Sequence, residues 1–97
     1  MKLTGKQRSR LRKLAQDLDP VITVGKNGIS DELVTAADEA FDLHELVKVR
    51  FSDHKDEIPE LADTLSRRTS ASIAGKIGHV VIMYRQNGDP EKRRIHL

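Results

Sequence analysis

Apolar residues in this chain recur with two different periods, and segments of one period alternate with segments of the other. Stretches with apolar residues at i, i+3, i+4 and i+7 are typical of helices, and short β-branched runs are typical of strands. In order, the segments read helix, strand, helix, strand, helix, strand, strand. We therefore predict one α/β domain over residues 1–97, a two-layer α+β sandwich with a mixed four-stranded sheet whose last two strands are antiparallel.

The predicted first helix is strongly basic. It begins at a capping box, in which Thr4 is the N-cap and Gln7 lies three residues later, and it ends before Pro20. One flank of its leucine stripe carries Lys6, Arg10 and Lys13, and the other carries Arg8 and Arg12. No acid lies among these bases to form i,i+4 pairs. An anionic partner explains the pattern, and a basic face that meets only solvent is the alternative.

A short glycine loop separates the predicted strand Val21–Val24 from a helix that Ser30 caps. The loop residues are Gly25, Lys26, Asn27 and Gly28. Glycines let a backbone approach a ligand closely, a lysine adds positive charge, and the N–H groups that begin the next helix attract anions. The loop is therefore a candidate phosphate site, although it lacks the ending of a P-loop and a purely conformational turn has the same residue types.

The rest of the chain contains two weaker candidate sites. The predicted elements are strand Leu46–Phe51, helix Asp56–Arg68, weak strand Ser70–Ala74, turn Gly75–Gly78, strand His79–Arg85 and a short last strand Ile95–Leu97. Lys76 is placed to touch a phosphate from the tip of its turn, although a plain hairpin turn explains the glycines equally well. Tyr84 and Arg85 offer a stacking ring beside a phosphate-binding guanidinium, and a strand end with solvated polar tips is the alternative.

Charge is distributed unevenly along the chain. The totals are 17 Lys+Arg and 15 Asp+Glu, so the net charge is only +2. Residues 1–15 carry a net +6, residues 16–63 a net −9 and residues 64–97 a net +5. Two basic ends around an acidic middle indicate a nucleic-acid partner that avoids the acidic face of the second helix. Two Phe, one Tyr and no Trp favour recognition of backbone and shape over base stacking.

Several classes of function find no support in the sequence. No apolar run approaches the roughly 18–20 residues of a membrane span, and no apolar stretch follows the basic N-terminus as in a secretory signal. The chain has no cysteine, and its four histidines are scattered without the spacing of metal ligands. No positioned acid, base or nucleophile indicates catalysis. We therefore expect no enzyme, cofactor, metal, membrane contact or small-molecule substrate, and a cytoplasmic location.

The same residues resemble the CRM domain, the chloroplast RNA splicing and ribosome maturation family, along essentially the whole chain. The resemblance is specifically to the stand-alone bacterial YhbY-type members of the family. The matching motifs are the opening Leu3-Thr4-Gly5-Lys6-Gln7-Arg8, the Pro20–Ser30 segment with its glycine loop, Glu45-Leu46-Val47-Lys48-Val49 and the Gly78–Arg85 segment. The resemblance implies a fold similar to the C-terminal domain of translation initiation factor three. In that fold the strand order is one, two, four, three, and the fourth strand is antiparallel.

The resemblance also implies RNA binding through the glycine loop and neighbouring basic residues. We therefore expect a monomeric protein that contacts ribosomal RNA in precursors of the large ribosomal subunit. In this hypothesis Lys26 and the loop N–H groups hold phosphate, and the bases of the first helix extend the surface. The alternative is an adaptor that binds proteins through its acidic middle segment and does not contact RNA.

Overall fold

Three α-helices and four strands alternate along the chain in the predicted order. The computed structural model describes all 97 residues. The helices are α1 (Gly5–Ala15), α2 (Asp31–His44) and α3 (Ile58–Thr69), and the strands are β1 (Ile22–Val24), β2 (Leu46–Phe51), β3 (Ser72–Ile77) and β4 (Val80–Tyr84). None of the three helices has the length and apolar character needed to cross a lipid bilayer.

The four strands form one mixed sheet with the order β1-β2-β4-β3. β1 is parallel to β2, with Ile22 beside Val49, and β4 is antiparallel to both β2 and β3. This topology confirms the predicted fold class. It also matches the strand order that the family resemblance implies.

Helices cover both faces of the sheet, so the molecule has three layers instead of the two predicted; the apolar periodicity did not fix which face each helix covers. α2 and α3 pack on one face over a cluster of fourteen buried residues that includes Phe41, Phe51 and Leu65. α1 packs on the other face over seven buried residues, among them Leu11 and Ile82. Complete burial of a side chain of this size contributes about 1.5–3 kcal/mol. The larger cluster under α2 and α3 is therefore the main core, and α1 adds a further layer.

The helix starts follow the predicted capping. Gln7 N–H donates to Thr4 Oγ1 at 3.1 Å, and Thr4 N–H donates to Gln7 Oε1 at 2.9 Å, which completes the capping box of α1. Ser30 caps α2 in the same position. α1 ends at Ala15, earlier than predicted, because the following residues already turn towards the sheet, where Lys48 Nζ donates to the Leu18 carbonyl at 2.8 Å.

The β3–β4 hairpin differs from the prediction. Residues 75–77 extend β3 instead of forming a turn, because a bulge after Ile73 lets the strand continue. The connecting loop consists of Gly78 and His79 alone, and Gly78 has a φ of 59°. β3 also starts later than predicted, since Ser70 has a left-handed φ of 58° and ends α3.

The C-terminal segment does not form the predicted strand over Ile95–Leu97. Instead, the carboxylate of Glu45 accepts N–H groups from this segment and holds it near the end of α2. Hydrogen bonds to the Glu45 side chain, instead of strand pairing, therefore hold this segment.

Candidate functional site

The glycine loop is a tight turn at the carboxyl end of β1. Gly28 N–H donates to the Gly25 carbonyl at 3.0 Å, which places Lys26 and Asn27 at the exposed centre of the turn. Gly28 has a φ of 61°, a left-handed value that glycine adopts without strain. The backbone N–H groups of Lys26 and Asn27 donate no hydrogen bond within the protein. They are therefore available to an anion, and the Lys26 ammonium lies on the same turn.

The N-terminus of α2 contributes less attraction for an anion than its position beside the loop predicts. Ser30 Oγ accepts the N–H of Leu33 at 3.2 Å, and Asp31 and Glu32 place two carboxylates in the first turn. These groups already meet the positive end of the helix dipole. Attraction for a phosphate therefore comes from the loop itself.

His54 holds the glycine loop from the neighbouring end of β2. Its Nε2 lies 2.7 Å from the carbonyl oxygen of Lys26, and its Nδ1 lies 3.5 Å from Glu57 Oε2. The hydrogen bond to Lys26, with smaller contributions from the charges of Asp53 and Glu57, raises the pKa of His54 above its ordinary value. Protonation of His54 adds positive charge beside the loop. Sequence reasoning missed this residue because the contact joins positions 28 residues apart.

The two flanks of α1 have different roles. Arg8 Nη1 donates to the Leu3 carbonyl at 2.9 Å, and Arg12 Nη1 donates to the Ala74 carbonyl at 3.0 Å. This flank therefore fastens α1 to the chain beside it. The other flank, here named the free flank, consists of the exposed residues Lys6, Arg10 and Lys13, whose side chains make no hydrogen bond or ion pair.

Part of the sheet separates the free flank from the glycine loop. α1 packs on β3, β2 and β4, whereas the loop follows β1 at the sheet edge. Arg50 of β2 is exposed on the face that α1 covers, and it pairs with Thr23 one position before the end of β1. It therefore lies between the two basic regions. The alternation along β2 indicates the position of Arg50 from the sequence, because it puts Lys48 and Arg50 on the side away from the main core.

Lys76 lies far from the glycine loop. It is exposed on β3, which forms the opposite edge of the sheet from β1. Its register partner is Val81, so its side chain is on the α2/α3 face, whereas the free flank lies on the other face. The structure does not bring Lys76 together with the other candidate residues.

Tyr84 and Arg85 have structural positions instead of the predicted stacking and phosphate roles. Tyr84 is 1% exposed beneath α1, so its ring is not accessible to a base. Its Oη has no hydrogen-bond partner, and burial, together with the negative charge of Glu45, raises the pKa of Tyr84.

Arg85 is enclosed by α2 and the end of α3. Its Nη1 lies 2.7 Å from Asp38 Oδ1 and 2.8 Å from the Thr69 carbonyl, and its Nη2 lies 3.0 Å from Asp42 Oδ1. The guanidinium also lies 5.2 Å from the centre of the Phe41 ring, within range of a cation–π interaction. With these contacts in place, the guanidinium has little capacity left for a phosphate.

Comparisons with known proteins give the same fold and family. The family model of the CRS1 / YhbY (CRM) domain matches residues 3–85. Probable RNA-binding protein YqeI of Bacillus subtilis is 31% identical over 96 residues, which cover 98% of both chains. An RNA-binding protein of Haemophilus influenzae is 32% identical over 98% of this chain and 94% of its own. The solution structure of SAV1595 from Staphylococcus aureus has a TM-score of 0.81 and 33% identity, covering 98% of this chain and 100% of its own. The chain belongs to the CRS1/YhbY (CRM) domain family.

Proposed function

We propose that this protein binds RNA and that the glycine loop is its phosphate-binding centre. The observation that carries the proposal is the exposed turn in which two unbonded backbone N–H groups and the Lys26 ammonium lie together. This combination of donors and positive charge suits a phosphate oxygen. The names of the relatives from Bacillus subtilis and Haemophilus influenzae support RNA as the ligand class.

The RNA in this proposal is ribosomal RNA within precursors of the large ribosomal subunit, bound in the cytoplasm by a monomer. The support is the resemblance to the single-domain bacterial members of the family. Arg50 and the free flank extend the positive surface beyond the loop. Because these groups bind phosphates, they recognise the shape of the RNA rather than its sequence.

The acidic surface of α2 gives little support to a protein-binding adaptor. Arg85 lies 2.7 Å from Asp38 and 3.0 Å from Asp42, and Arg68 lies 2.6 Å from Asp31. These acids therefore hold helices to their neighbours. The proposal of RNA binding needs no role for them beyond that.

The first test compares two charge reversals, Lys26→Glu in the glycine loop and Lys92→Glu in the C-terminal segment. Both lysines are exposed and neither forms an ion pair, so both variants should melt like the wild type. We expect Lys26→Glu to weaken binding to fragments of large-subunit ribosomal RNA about tenfold or more, and Lys92→Glu to change it less than about twofold. Fluorescence anisotropy measures both. Equal losses in the two variants would contradict the assignment of the loop.

The second test addresses the ribosomal part of the proposal. In sucrose-gradient fractionation of lysate, the wild-type protein should migrate with large-subunit precursors at low salt. At high salt it should stay at the top of the gradient as free protein. Lys92→Glu should co-migrate in the same way, and Lys26→Glu should not. A wild-type protein that stays at the top of the low-salt gradient would contradict binding to these precursors.

A further inference from the structure

An apolar groove lies at the start of β1, at the opposite end of this strand from the glycine loop. Its volume is about 390 Å³, and its walls come from α1, the α1–β1 connection, β2 and the C-terminal segment. Leu14, Leu18 and Val21 line it and are 44%, 40% and 54% exposed. Ile95 closes the remaining side. The groove is thus a contiguous apolar surface that no part of the chain covers, which is typical of a binding site.

The rim of this groove is mainly basic. Its charged groups are Lys48 and Arg94 against a single acid, Asp19, and His44 also lines it. Arg94 is exposed and forms no ion pair. Arg10 of the free flank lies one helical turn before Leu14, so it is a neighbour of the groove as well. A ligand that suits both wall and rim has an apolar part attached to negative charge.

The groove and the glycine loop lie at opposite ends of the edge strand β1. Val21 lines the groove and Gly25 begins the loop, and four residues of extended chain span about 13 Å. Thr23 lies exposed between them, with Arg50 beside it on β2. An RNA strand whose phosphate is held by the loop therefore reaches the groove within a few nucleotides along the outside of β1.

The peptide groups of Leu46 point towards the sheet edge beside the groove. β1 begins opposite Val49, and the N–H of Val21 donates to the Lys48 carbonyl at 3.2 Å. Peptide groups two residues apart in a strand point to the same side. The N–H and C=O of Leu46 therefore point towards the part of this edge that β1 does not reach.

We propose that this groove binds an unstacked base of a single-stranded RNA segment whose backbone is held at the glycine loop. The inference rests on the proposed function and adds to it a second subsite and a preference for unpaired nucleotides. Aliphatic walls bury the faces of the base, and the basic rim meets the flanking phosphate. The excess of positive charge at the rim, and the continuity with the loop, favour a nucleotide over a peptide.

The test uses two RNA probes and two variants. The probes are one blunt RNA duplex and the same duplex with a single-stranded tail of about eight nucleotides. The groove variant is Leu14→Gln with Val21→Thr, which keeps charge and local propensity. The matched control is Leu43→Gln, because Leu43 is 63% exposed on α2 and does not line the groove. We expect the groove variant to bind the tailed RNA about fivefold more weakly and the blunt duplex unchanged, while Leu43→Gln alters neither.

Three results would overturn this inference. The first is equal affinity of the wild-type protein for the tailed and blunt duplexes. The second is a groove variant that binds the tailed RNA as tightly as the wild type. That result would favour a protein segment as the ligand of the groove. The third is an equal loss on both probes. In each of these cases RNA binding itself persists, whereas a wild-type protein that binds neither probe would overturn the proposed function.

Discussion

At the scale of single residues, Glu45 organises a segment that is distant in sequence. It follows α2 with a φ of 59°, which residues other than glycine rarely adopt, and it is 1% exposed. Its carboxylate accepts N–H groups from Asn87 and Arg94, each at 2.6 Å, and from Ile95 at 3.2 Å. One buried charge therefore fixes the course of the C-terminal segment and the wall that Ile95 gives to the apolar groove.

The stability of the protein should depend on the ionisation of Glu45. Burial alone would raise the pKa of Glu45, but the three backbone N–H groups and the charge of Arg93 lower it below its ordinary value. A depressed pKa in the folded state means that this stabilisation is present above the unfolded pKa and is lost as the pH falls through the folded pKa. Glu45→Gln should lower the free energy of unfolding at neutral pH by about 1–3 kcal/mol.

Urea unfolding of the wild type and of Glu45→Gln across the acidic range measures this dependence. The difference in unfolding free energy should shrink as the medium is acidified. Glu39→Gln is the control, because Glu39 is exposed on the same helix and its carboxylate has no partner. A difference between wild type and Glu45→Gln that stays constant at every pH would contradict the ionic role.

At the scale of secondary-structure elements, Arg85 joins the end of β4 to α2 and to the end of α3. Lysine at this position keeps the charge but loses the planar fork that reaches several acceptors. Arg85→Lys should therefore lower the free energy of unfolding by about 1–3 kcal/mol, since the side chain is only partly exposed. Its RNA affinity should stay within about twofold of the wild type.

Thermal melting and anisotropy of the same samples separate the two roles of Arg85. Arg67→Lys is the control, because Arg67 pairs with Asp63 at 3.4 Å on an open surface and should affect neither measurement. Normal stability of Arg85→Lys combined with weak RNA binding would instead support the phosphate role that the sequence predicts for Arg85.

The two flanks of α1 should also respond differently to substitution. Arg12 lies across Gly75, where an added Cβ would stand 2.6 Å from Arg12 Cδ, and donates to the Ala74 carbonyl. Arg12→Ala should therefore lower the free energy of unfolding by about 1 kcal/mol or more, through lost packing and one hydrogen bond. Lys13→Ala should leave stability unchanged and weaken RNA binding. Equal effects of the two substitutions on the thermal melt would contradict this division of α1.

At the scale of the whole molecule, the sequence predicts what depends on local pattern and misses what depends on distant contacts. The order of elements, the capping box of α1 and the turn at the glycine loop follow from residue spacing, and the structure confirms them. The His54–Lys26, Arg85–Asp38 and Glu45–Arg94 contacts join residues 28, 47 and 49 positions apart, and no local pattern marks them. The sequence predicts surface positions for Tyr84 and Arg85 because they lie at the end of a strand. Only the packing of neighbouring helices shows that both side chains are enclosed.

The charges of the molecule are divided in space as well as along the chain. Several acids of the negative region 16–63 form ion pairs with arginines of the basic region 64–97, as Arg85 does with Asp38. The bases left without partners include the free flank of α1, Lys26 and Arg50. The small net charge therefore results from a fold that neutralises one region and leaves another positive.

The salt dependence of RNA binding tests most directly whether these unpaired bases contact phosphates. The logarithm of the binding constant should fall linearly with the logarithm of the salt concentration for the wild type. The triple variant of Lys6, Arg10 and Lys13 to alanine should have a slope shallower by about 2–3 units, since each lost phosphate contact removes about 0.7–0.9. A control variant with Arg67, Lys76 and Lys92 changed to alanine should retain the wild-type slope. A wild-type slope near zero, or a free-flank variant with the wild-type slope, would contradict the account.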